Sequence, residues 1–132
     1  MSINGVVLKE GATYTPTGGT SITFDDSGEN VANGIVCVNQ AENDFFAREK
    51  LVATSRLPSK NSDGTYSKQK VSVRIIVPET LADGTISYDL IRVETECSPF
   101  SAAGKIDTLR GLGMAVLNST DLDNLFTVGS IK

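Results

Sequence analysis

The segment SKQKVSVRIIVPE, residues 67–79, decides the fold. Four odd positions in a row, Val71, Val73, Ile75 and Val77, are apolar, while Lys68, Lys70, Ser72, Arg74 and Ile76 fill the even ones. A period of two marks a β-strand with one buried face and one presented face. The chain is acidic overall, with a net charge of −4 and a pI near 4.7. Cations on the open face of so regular a strand therefore call for an explanation.

Working outward, EKLVATSRLPS (49–59) alternates in the same way. Leu51, Ala53, Ser55 and Leu57 lie on one face, and Lys50, Val52, Thr54 and Arg56 on the other. The Asp63-Gly64 pair in KNSDGTY between these runs is a hairpin signal, so the two strands are expected to pair antiparallel. Pro78 is expected to end the later strand, because proline cannot serve a central ladder. A second Asp-Gly turn in ETLADGT leads into ISYDLIRVETECS (86–98), a further strand. Upstream, NGIVCVNQ (33–40) reads as a strand entered through Asn33-Gly34, followed by a loop at AENDFF. DDSGEN (25–30) reads as a polar turn without the alternating oxygen ligands of a calcium loop. Residues 1–27 read as a hairpin, with arms GVVLKEG and TSITFDD around the turn residues TPTGG.

After Pro99 the period changes. Ile106, Leu109, Leu112, Met114 and Val116 recur at mostly helical spacing, with Ser101 a plausible N-cap. Gly104, Gly111 and Gly113 lower helix propensity and are either close-packing positions or signs of a weak helix. STDLDNLF predicts a second short helix capped by Ser119 or Thr120, with Asp121 and Asp123 at its positive end. The fold class is thus α+β: an N-terminal β-hairpin, an antiparallel sheet meander over 33–98 and a helical part over 101–132. At 132 residues this is one domain by length. The helices are too short to cover five or six strands, so a second subunit is expected to supply the missing cover in an obligate dimer.

Composition narrows the function. There is no histidine, and the two cysteines, Cys37 and Cys97, form no CxxC pair, so no metal site or cofactor is expected. The cysteines are either free thiols packed as small hydrophobes or a disulfide. Without an imidazole, the usual base for a serine or cysteine nucleophile is missing, and no enzyme is expected. Glu94 and Glu96 share a strand face, but no convergent partner makes them a catalytic pair. No apolar run approaches the roughly 18 residues of a membrane span. The start MSINGVVLKEG lacks the pattern of a signal peptide, which predicts synthesis in the cytosol.

Residues 48–74 hold seven Lys/Arg against Glu49 and Asp63, a local +5, while five Lys/Arg face fourteen Asp/Glu elsewhere, a balance of −9. Charge alone leaves two readings open, a face for a polyanion or solvated surface charge.

The ordered set VANGIVCVNQ, REKLVATSRLPSKN, YSKQKVSVRIIVPE and the helix pair after ECSPFS resembles the coat proteins of the small single-stranded RNA bacteriophages, the leviviruses. The resemblance runs over nearly the whole chain. It implies an interlocked homodimer with a continuous sheet, whose dimers build an icosahedral shell in the virion. It also implies single-stranded genomic RNA and an RNA hairpin as partners, the hairpin serving as packaging signal and translational repressor site. A minor maturation protein would be a further partner, no membrane would be involved, and the chain would be made in the bacterial host cytoplasm. The residues it places on the RNA side are Ile35, Lys50, Val52, Thr54, Arg56, Lys70, Ser72, Arg74, Leu90 and Arg92.

The chain departs from the family in four places. Leu90 stands where many relatives have a base-stacking tyrosine, with Tyr88 on the same face as a substitute. Val52 stands where a hydroxyl is common, and Ile76 where a polar residue is. ETLADGT matches the loop that lines the symmetry axes in such shells; it is short here and lacks the cysteines some relatives carry there. Two further readings stay open, a β-rich subunit that polymerises through strand edges and an RNA-binding module that forms no shell.

Overall fold

The computed structural model describes residues 5–11, 15 and 17–129. It divides into two compact units, a sheet unit Gly19–Pro99 and a second unit that joins the described residues up to Gly18 with those from Phe100 onward.

The sheet unit is a meander of five antiparallel strands in sequence order: β1 (Asp25–Val31), β2 (Gly34–Val38), β3 (Lys50–Arg56), β4 (Gln69–Thr80) and β5 (Ile86–Cys97). The second unit carries α1 (Ala103–Asn118), a single 3-10 turn (Thr120–Leu122) and α2 (Asp123–Val128). Ala115 and Leu122 are its buried residues, and the Val7 N–H donates to Asp121 Oδ2 at 3.4 Å.

The expected antiparallel pairing of β3 and β4 is borne out, with a register continuous from Lys50↔Ile76 to Arg56↔Lys70. The expected buried face is not seen in this chain: β4 is half-buried on both faces as far as Ile76, and the one buried residue of β3, Val52, lies on the face expected to be presented. Two turns of one design hold the meander in phase. In each, an Asp carboxylate accepts both the amide and the hydroxyl of the Thr two residues on: Asp63 from Thr65 (3.0 and 2.6 Å) and Asp83 from Thr85 (2.9 and 2.6 Å). Gly64 and Gly84 follow each Asp at φ 88° and 86°, the left-handed backbone that lets a short loop rejoin its strand.

Several expectations are corrected. No strand forms in the arms of the N-terminal hairpin at 5–11 or 20–24, and part of its turn lies outside the described residues. An isolated two-stranded hairpin has too little burial to stand alone. DDSGEN is not a free turn but most of β1, which carries a bulge between Asp26 and Asn30. Its polar side chains do turn chemistry inside the strand. Asp26 Oδ1 accepts the Gly28 N–H (2.9 Å), Ser27 Oγ accepts the Glu29 N–H (3.2 Å), and the Ser27 hydroxyl donates to the Val36 carbonyl (3.0 Å). Such local pairing is why the segment looks like a loop in sequence.

Pro78 does not end β4, which runs on to Thr80 with Pro78 opposite Tyr88. β3 has already ended at the Lys50↔Ile76 pair, so from Val77 onward β4 has an open edge on that side, where proline is tolerated. Ser101 is not the helix cap: Ala102 holds that place without a side-chain bond, and Ser119 likewise makes no capping bond. A Cβ added at Gly104, Gly111 or Gly113 would meet nothing within 4 Å, so none of them packs closely against the rest of this chain. Both cysteines are free and half-buried. Cys37 sits opposite Leu51, whereas Cys97 sits opposite Gln69.

Gly34 is a true close approach. A Cβ there would run into the Ala53 carbonyl oxygen and come within 2.9 Å of the Thr54 methyl. Gly34→Ala should therefore destabilise the fold by about 1–3 kcal/mol through strain at the β2–β3 seam, seen as a lower urea midpoint. An unchanged midpoint would mean that the seam yields freely.

The Asp63 and Asp83 carboxyls sit below the usual value of 3.8, chiefly through the Thr65 and Thr85 hydroxyl bonds. A depressed folded value stabilises the fold above the unfolded pKa, and that stabilisation is lost as pH falls through the folded value. Both turns should hold at pH 3.8 and loosen only in stronger acid. Carboxyl NMR titration together with Thr85 amide exchange measures this, and a midpoint above 3.8 would refute it.

Candidate nucleic-acid interface

Register assigns every strand residue to a face. Val36, Val52, Arg74 and Arg92 form one cross-strand row, and Gly34, Thr54, Ser72 and Glu94 the next. Val38, Lys50, Ile76 and Leu90 make a third row on the same side, with Arg56, Lys70 and Glu96 beyond the second. This is the polar face. The opposite face carries Ile35, Cys37, Leu51, Ala53, Val71, Val73, Ile75, Ile91 and Val93, all exposed or half-buried.

Nearly all the residues singled out in the sequence share the polar face. Thr54, Arg56, Lys70, Ser72, Arg74 and Arg92 line one open depression of about 420 Å³, and Lys50 and Tyr88 line a second of about 490 Å³. Leu90 is exposed on the same face. Two assignments change. Ile35 pairs with Ala53 and so lies on the apolar face, away from the cations. Val52 is on the polar face but only 5% exposed, beside Val36 at 3% and Val38 at 5%, so little of it is open to a ligand in this chain.

The electrostatics are less uniformly basic than the sequence count indicates. Lys70 Nζ lies 2.9 Å from Glu94 Oε1 and 3.5 Å from Glu96 Oε1, and Lys50 Nζ lies 3.5 Å from Glu29 Oε1. Glu94 and Glu96 are thus partners of Lys70, a role the sequence reading of the two did not include. Arg56, Arg74 and Arg92 enter none of the ion pairs found among the described residues. Arg74 and Arg92 are direct cross-strand neighbours. Like charges so placed repel unless an anion lies between them.

Four residues of the second depression that come from the β2–β3 connection were missed in the sequence: Gln40, Phe45, Phe46 and Arg48. The adjacent phenylalanines in an otherwise polar loop were the available signal. Among the described residues no cluster of metal-ligating side chains occurs, and no helix is long and apolar enough to cross a membrane.

The Glu94 hydrogen bond and charge, with Glu96 in support, raise the Lys70 pKa above 10.5. The pairing therefore stabilises the fold below the ordinary lysine value and is lost as pH rises through the raised one. Glu94→Gln should lower the Lys70 titration midpoint, followed by NMR of labelled lysine side chains. A midpoint that does not move would show that Glu94 is not the partner in solution.

No protein-family model matches the chain. No curated protein matches it either. Solved structures do. The virus-like particle of bacteriophage GQ-907 is 32% identical over 99% of this chain and 100% of its own, with a TM-score of 0.90. The virus-like particle of Wenzhou levi-like virus 4 is 20% identical over 95% of this chain and 86% of its own, at a TM-score of 0.69. That of Beihai levi-like virus 21 is 13% identical over 88% and 91%, at 0.68. The two more distant particles share the fold, and the first shares sequence as well.

Proposed function

The chain belongs to the coat-protein family of the small single-stranded RNA bacteriophages, and on that premise we propose that it dimerises, assembles into a closed shell and binds RNA across the polar face of its sheet. Its role is structural, as the capsid protein of a virion.

The observation that carries the RNA reading is the unpaired arginine group. Arg74 and Arg92 stand directly opposite each other on the polar face. They share a depression with Arg56, Lys70 and the hydroxyls of Thr54 and Ser72. A phosphate seated between two guanidiniums turns a repulsive pair into a bridged one. The arginines then hold the backbone, while the two hydroxyls, one row away, offer hydrogen bonds to base edges. An open sheet surface with an exposed tyrosine beside it suits unstacked bases of a loop better than a duplex. Lys70 joins only when RNA competes with Glu94 and Glu96 for its ammonium. A hairpin loop that marks the viral RNA and blocks replicase translation is the specific ligand this reading assigns.

The other face supports the dimer. Ile35, Val77, Ile91 and Val93 are all exposed there. A contiguous apolar surface of this kind needs a cover. A second copy, laying its helices over this face and its β5 edge against that of the first, meets both the apolar area and the unpaired backbone of the last strand.

Expression in bacteria followed by sizing and negative-stain microscopy tests the assembly. Uniform round particles rich in nucleic acid are expected; a soluble nucleic-acid-free species would overturn the reading. For the RNA face, the Arg74→Gln/Arg92→Gln pair should weaken single-stranded RNA binding. It should also lower the salt slope of log K by about 0.7, for the one phosphate that the pair bridges. An unaltered slope would place the RNA elsewhere.

A further inference from the structure

We propose that the β2–β3 connection, residues 39–49, builds a second subsite on this face, a slot in which Phe45, Phe46 and Tyr88 receive an unpaired RNA base. The inference rests on the RNA reading of the polar face and adds to it a place, a ligand group and residues outside the strands.

Phe45 and Phe46 are 72% and 70% exposed. Two adjacent rings held in water are costly unless they meet a partner. The loop that holds them is not slack. The Asn39 N–H donates to the Glu49 carbonyl (3.0 Å) and closes its base. Within it, the Ala41, Asp44 and Phe46 N–H groups donate to the side chains of Asn39 (3.2 Å), Glu42 (3.0 Å) and Asp44 (3.0 Å). The Ala47 N–H reaches the Asp44 carbonyl at 3.0 Å. A loop so pinned presents its rings in a set place before any ligand arrives, which lowers the ordering cost of binding.

The rings do not face open solvent alone. Together with Tyr88, Lys50 and Ile76 they line the depression of about 490 Å³, so loop and strand aromatics bound a single recess. Its floor includes Val38, on the polar face of β2. The Arg48 guanidinium lies 4.3 Å from the centre of the Phe45 ring, and its Nε donates to the Glu42 carbonyl at 2.8 Å. That arrangement is a cation–π pair, with the remaining N–H groups of the guanidinium left for a ligand.

The lining favours the base over the phosphate. The rings of Phe45, Phe46 and Tyr88 bound the recess with the apolar Val38 and Ile76, and its charged members are mixed, Arg48 and Lys50 against Glu29. A flat, neutral base suits such a lining. It stacks on the rings while its phosphates stay at the rim, within reach of Arg48 and Lys50. Aromatic stacking of this kind accepts any base, because every base has a π-face. The subsite is therefore a general anchor for single-stranded segments next to the arginine group, not a reader of sequence.

The full-length chain, titrated with a short oligoadenylate and with an abasic ribose-phosphate strand of the same length, tests this. Phe45→Ala/Phe46→Ala should weaken oligoadenylate binding about 10- to 100-fold, leave the abasic strand within about threefold, and leave the salt slope unchanged. Arg74→Gln should weaken both probes. If Arg74→Gln weakens both while the phenylalanine variant weakens neither, the slot is wrong and the RNA face stands. If neither variant affects either probe, the RNA face itself fails. Intact RNA affinity with loss of particles in the phenylalanine variant would assign the rings to the interface between copies and overturn the proposal.

Discussion

Strand register is the constraint on which everything else in this molecule depends. In a sheet one layer thick, each residue faces one side or the other, and a slip of one position exchanges the two sets entirely. Here a slip between β3 and β4 would carry Lys70, Ser72 and Arg74 to the apolar side and bring Val71, Val73 and Ile75 among the charges. The Asp-Gly turns guard the β3–β4 and β4–β5 seams. Each places a carboxylate where it ties down the Thr that follows the turn, Thr85 directly before β5 and Thr65 beside the Lys60–Tyr66 bridge that precedes β4. At the β2–β3 seam Gly34 does comparable work by steric exclusion, since only a residue without a side chain lets the Ala53 carbonyl approach. The arginine row and the apolar face are both consequences of these seams.

The legible parts of the sequence are those where one physical signal acts alone. Alternation in 49–59, 67–79 and 86–98 is strong enough to place β3, β4 and β5 and to sort the residues within each, while the resemblance implied the common face for Lys50 through Arg92 that register shows. Signals in competition mislead. Asp25 to Asn30 carry turn-type side chains, yet they bond within a bulged strand whose ends pair with β2. Pro78 looks like a terminator until the neighbouring strand is known to have stopped first. The resemblance puts Ile35 with the cations, whereas its pairing with Ala53 puts it on the other side. Phe45 and Phe46 have no periodicity to betray them, because a loop has none. Only the fold brings them beside Tyr88.

The mixed charge of the polar face has a physical logic of its own. A face carrying Lys50, Arg56, Lys70, Arg74 and Arg92 without acids would repel itself whenever no polyanion was present. Glu29, Glu94 and Glu96 relieve this by holding the two lysines and leave the three arginines uncommitted. The division suits the chemistry of the two cations. Lysine is a compact point charge that exchanges one partner for another readily, whereas the planar arginine fork engages phosphate at two points. On the proposed reading, RNA first meets the free arginines and then competes for Lys70. Those carboxylates are side chains partly open to solvent, so salt and water weaken their hold and the exchange stays cheap.

The same one-layer design ties folding to assembly. Within the sheet unit the three nearly buried residues, Val36, Val38 and Val52, lie under the charges and not on the apolar side. The apolar side has no comparable core, since Ile91 and Val93 remain exposed on it. A sheet stabilised mainly from its polar face is marginal by itself, because burial of apolar area is the main favourable term. A second copy over the apolar face would therefore supply stability as well as symmetry. The chain would gain its full hydrophobic core only in company, and the face left uncovered by that union is the one that bears the arginines. On the proposed reading, dimerisation and the orientation of the RNA surface would both follow from one distribution of side chains, set residue by residue along β3, β4 and β5.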